Sequence, residues 1–121
     1  MIRKLFLVGT LSLVSLASGQ ARVIETDRPV DVTGTIAVEK APGNPDAVKG
    51  EMLYLTSGDT ATLNGRRWPV KKVEILFSGN HPENGPYYKA ARAAAGTGKT
   101  ATLHGSFQWN HHFEVLYFEI D

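Results

Sequence analysis

From residue 30 to residue 39 the side chains alternate without a break. Val30, Val32, Gly34, Ile36 and Val38 fall on one side, and Asp31, Thr33, Thr35, Ala37 and Glu39 on the other. A strand with one face in a core and one in water needs this period of two, and a helix does not satisfy it. Gly34, in the middle of the run, predicts a bend or bulge of the kind that carries a strand round a corner. The alternation returns late in the chain, where Ala101, Leu103, Gly105 and Phe107 oppose Thr100, Thr102, His104 and Ser106. The chain is therefore constrained to a mainly β fold.

The remaining segments fit around these two runs. Ala41, Pro42, Gly43, Asn44, Pro45 and Asp46 are turn formers that end the first strand. Met52 to Leu55 make a second, short strand, stopped by Ser57, Gly58 and Asp59. Residues 60–63 run into Asn64-Gly65, a two-residue hairpin signal. Beyond Trp68-Pro69, Lys71, Val73, Ile75 and Phe77 alternate with Val70, Lys72, Glu74 and Leu76. This pattern predicts one strand over 70–77, with Pro69 at its start or on an edge.

Residues 78–85 read as a polar loop, and Pro86 suits the first turn of a helix. Tyr87, Ala91 and Ala94 share a helical face, as do Tyr88, Ala91 and Ala95, and Gly96 is placed to stop the helix. Residues 108–112 are expected to form the turn before the last strand. That strand, 113–120, is apolar on both sides: Phe113, Val115 and Tyr117 on one, Leu116, Phe118 and Ile120 on the other. Such a strand is expected to be covered on both faces. The stretch holding Glu25 and Asp27 reads as irregular.

The opening segment belongs to a different class. Arg3 and Lys4 precede an uncharged apolar run from Leu5 to Ala17, followed by Ser18, Gly19 and Ala21. A basic start, an apolar core too short to span a bilayer and small residues after it make a secretory signal peptide over residues 1–21. Cleavage is expected after Gly19 or Ala21, leaving residues 22–121 as a single domain with no integral membrane segment. The expected location is periplasmic or secreted.

Arg3 and Lys4 are the only charged residues of this leader, so the 13 cations and 12 anions of the whole chain become eleven against twelve, a net charge of −1. A domain so near neutrality offers no broad field for phosphates, and nucleic acid is not expected as a partner. With no cysteine, thiolate chemistry and disulfide staples are excluded. Absence of cysteine in an exported chain points to bacteria. A monomer is expected.

The order strand–strand–strand–helix–strand–strand, with glycines inside strands one and four, resembles the OB-fold. That is a small five-stranded barrel with one short helix between strands 3 and 4. An unclosed antiparallel sheet with the helix against it is the alternative. Val32-Thr33-Gly34-Thr35-Ile36, Thr102-Leu103-His104-Gly105-Ser106-Phe107 and His111-His112 before a hydrophobic strand resemble exported bacterial OB-fold-like domains of unknown function. The resemblance covers most of the chain after the leader. It implies fold and location and carries over no catalytic residue.

Motifs that would carry chemistry are weak. Gly96-Thr97-Gly98-Lys99-Thr100 has the tail of a phosphate-binding loop, but residue 93 is Ala where the motif needs Gly. The helix also precedes the segment rather than following it. His111, His112 and Glu114 are candidate metal ligands, yet neighbours on a regular strand point to opposite faces, so only a turn would let them converge. Neither a Gly-x-Ser-x-Gly nor a His-Glu-x-x-His motif is present. Catalysis and cofactors are not expected.

The OB resemblance implies a binding rim built from the loops between strands one and two and between strands four and five. It places Asn44, Asp46, Trp109, Asn110 and His111 there, with Trp109 as either anchor or core cap. The expectation is a module that binds an envelope protein, peptide or glycan, inhibitor and immunity roles included. A histidine-based metal protein and a structural envelope subunit are the alternatives.

Overall fold

The computed structural model describes residues 21–121, so the expected leader, Ala21 apart, lies outside the described residues. Among these, eight strands and one α-helix follow in the order β1 (Val23–Glu25), β2 (Val30–Lys40), β3 (Glu51–Thr56), β4 (Thr60–Leu63), β5 (Arg66–Pro69), β6 (Val73–Leu76), α1 (Pro86–Ala94), β7 (Thr100–Asn110) and β8 (Val115–Ile120). Strands β2, β3, β6, β8 and β7 join in that order into a closed ring, because β7 pairs back onto β2. Within it only β6 and β8 run parallel. A second sheet has the order β1-β4-β5, with β1 parallel to β4.

The two alternating runs are the two longest strands, and glycine lets each turn a corner. At Gly34 the strand β2 leaves β7 for β3: Thr35 is in register with both Thr100 and Thr56. A Cβ on Gly34 would collide with the carbonyl oxygen of Thr56, and one on Gly105 with that of Glu119. Only a residue without a side chain allows backbones to approach so closely.

Alternation then sends Val32, Ile36, Leu55, Ile75, Leu103, Phe107 and Phe118 into one core. Phe107 and Phe118 meet edge to face at 4.8 Å, a favourable aromatic geometry. The helix α1 buries Tyr88, Ala91 and Ala94 against β7 and β2, and Gly96, at φ +73°, donates its N–H to the Ile36 carbonyl. Arg92 grips Glu51 through Nε at 2.9 Å and Nη2 at 3.3 Å. The small sheet joins the same core through Ile24 and Ala61. Asp59, buried in the turn just before β4, accepts from the backbone and guanidinium of Arg22 and from Ser57 Oγ.

Four sequence expectations change in detail. The predicted strand 70–77 is broken: Val70 binds the Asp59 carbonyl and Ser57, Lys72 takes a left-handed φ of 52°, and only Val73–Leu76 enters the ring. The expected turn 108–112 shifts forward, because β7 continues through Asn110 and the turn closes with Glu114 N–H on the Asn110 carbonyl at 2.7 Å. The last strand is covered on one face only, leaving Phe113 69% and Val115 42% exposed. The stretch read as irregular contains β1. No helix among the described residues is long and apolar enough to cross a membrane.

Candidate functional site

The loop after β2 and the turn after β7 face each other across a groove of 640 Å³. Asn44, Pro45 and Asp46 form one wall, and Asn110, Phe113, Val115 and Leu116 the other, with Tyr54, Lys72 and Glu74 between them. Both walls are shaped by asparagine. Asn44 Oδ1 accepts the Asp46 N–H at 2.8 Å, and Asn110 Oδ1 accepts the N–H groups of His112 and Phe113 at 2.9 and 3.0 Å. These local bonds are what make asparagine a turn residue. They hold Asp46 and Phe113 toward the opening while occupying the amide oxygens themselves.

The floor is electrostatically built. Tyr54 stands in register with Glu74 on β6 and Ala37 on β2, so Glu39, two residues beyond Ala37, shares its face. The bend at Lys72 is tied down by its N–H bond to Thr56 Oγ1 at 2.9 Å. The Lys72 ammonium lies 2.6 Å from Glu39 Oε2 and 5.2 Å from the Tyr54 ring centroid, within cation–π range. Burial, then the charges of Glu39 and Glu74, hold the Tyr54 phenol above its usual pKa. The hydrogen bond to Glu39 raises that of Lys72.

Of the five rim residues expected from sequence, Asn44, Asp46 and Asn110 line this groove. Trp109 does not. It lies two residues after the buried Phe107 on β7 and therefore points to the core side. There its ring meets Trp68 at 4.7 Å, while Arg66 sits 4.9 Å from the Trp68 ring. The Trp68 indole N–H is buried there without a hydrogen-bond partner.

His111 is exposed in the turn outside the groove lining. His112 touches Phe113 edge to face at 4.6 Å. Among the described residues no three His, Cys, Asp or Glu side chains group into a metal site, and His111, His112 and Glu114 are not brought together.

Sequence reasoning missed Lys72, Glu74, Phe113 and Val115. Lys72 and Glu74 were visible as polar members of an alternating run, but the bend that turns them into the groove was not. Phe113 and Val115 read as core because they are apolar. Compared with protein-family models, curated proteins and solved structures, the chain gives no match.

Proposed function

We propose that this chain is an exported bacterial binding module with an OB-like barrel, which recognises an envelope protein, peptide or glycan through the groove between residues 44–46 and 110–116. The observation that carries the reading is the pair of large apolar side chains, Phe113 and Val115, left exposed on one wall of a 640 Å³ opening. Exposed apolar groups beside a few polar ones are the usual make-up of a binding site, and the size suits one. The strand order supports the OB-like part. The loop between the first two ring strands and the turn between the last two flank the groove, as they flank ligands in OB-folds. The leader supports export.

NMR amide-shift mapping with muropeptides and short synthetic peptides tests the reading. Shifts are expected to cluster at Asp46, Tyr54, Phe113 and Val115, and Phe113→Ser is expected to weaken them severalfold with the rest of the spectrum unchanged. Shifts confined to other surfaces would refute the assignment.

A further inference from the structure

The floor of the groove already holds a cation. Lys72 sits over Tyr54 and against Glu39, and acidic charge remains around it. Glu74 is the register partner of Tyr54 on β6, and Asp46 stands on the facing wall. Lys72 is paired with Glu39 alone, so Glu74 and Asp46 leave the groove with net negative charge beside the exposed Phe113 and Val115. Complementarity calls for positive charge next to an apolar group. A sugar ring lacks that charge. A phosphate would meet net repulsion.

Resting on the binding role argued above, we propose that the groove takes an extended peptide segment bearing a basic side chain beside an apolar one. Its cation competes with Lys72 for the seat formed by Tyr54, Glu39 and Glu74, while its apolar neighbour packs on Phe113 and Val115. Lys72 acts as an internal place-holder. Its ammonium occupies the seat through Glu39 and the Tyr54 ring, and both carboxylate and ring remain when it swings away. The apolar contact supplies affinity and the charge supplies selectivity.

The test uses three capped tetrapeptides, Ac-Ala-Lys-Leu-Ala-NH2 and its counterparts with norleucine or Glu in place of Lys, titrated into the protein by NMR. The Lys peptide is expected to bind at the groove about tenfold tighter than the norleucine peptide, with the Glu peptide weakest. Glu74→Gln is expected to lower its affinity severalfold and Lys72→Met to raise it. Lys71→Met, the same change of charge at an exposed neighbour, is expected to give a much smaller gain.

Equal binding of the Lys and norleucine peptides overturns the proposal, as does an equal gain from Lys71→Met and Lys72→Met. If muropeptides shift the groove and the Lys peptide does not, the groove remains a binding site and the basic-peptide assignment falls. If no probe shifts it, both readings fall.

Discussion

At the scale of single residues, two kinds of position decide how this protein behaves: glycines that let strands touch, and one histidine held between carboxylates. Gly105→Ala forces a Cβ onto the Glu119 carbonyl, and overpacking of backbone costs about 1–3 kcal/mol. Thermal melting should show that loss for Gly105→Ala. Gly43→Ala, a site with nothing within 4 Å, should melt close to wild type. The glycines were legible as gaps in an alternating pattern; the carbonyl each must admit comes from a distant strand and was not.

His104 lies on β7 opposite Asp31, with Nδ1 2.6 Å from Asp31 and Nε2 2.9 Å from Asp121. The Asp31 hydrogen bond, helped by the charges of Asp121 and Asp31 and opposed by desolvation, raises its pKa above 6.5. A raised value means that the imidazolium stabilises the folded state. The contribution is complete below the unfolded pKa, about 6.5 for histidine. It disappears as pH climbs through the higher folded value. Denaturant melts across pH 6 to 9 should therefore show stability falling in wild type, with a flatter profile in His104→Gln. A wild-type slope no steeper than that of the variant would contradict the ion-pair account.

At the scale of elements, the β7–β8 hairpin and the broken strand before β6 matter most. The hairpin extends past its neighbour β6, whose pairing with β8 begins at Glu74 and Tyr117. That overhang leaves Phe113 and Val115 uncovered. The inward side of the same hairpin carries Trp109 against Trp68. Trp109→Ala should cost about 2 kcal/mol, below the 3–5 typical of fully buried aromatics because the ring is only partly buried against the core, and should change the fluorescence of Trp68. Unaltered stability would show the indole to be free for binding instead. Alternation identified the strands here. It missed the bend at Lys72, because Ser57 and Asp59, which capture Val70, precede it by more than ten residues.

At the scale of the whole molecule, the sequence by itself determined a mainly β chain with one helix, because periods of two and of 3.6 are local properties written into neighbouring residues. It also marked the corner glycines, the Asn64-Gly65 hairpin, whose residues take φ 52° and 80°, and the polar loop that supplies Asn44 and Asp46. Tertiary structure alone decided that five strands close into a ring while three others form a side sheet. It also decided that Trp109 turns inward and that Phe113 faces outward above an acidic floor. Those outcomes depend on which distant backbone and which distant charge each segment meets, and closure of the ring sets those meetings rather than any pattern within a single strand.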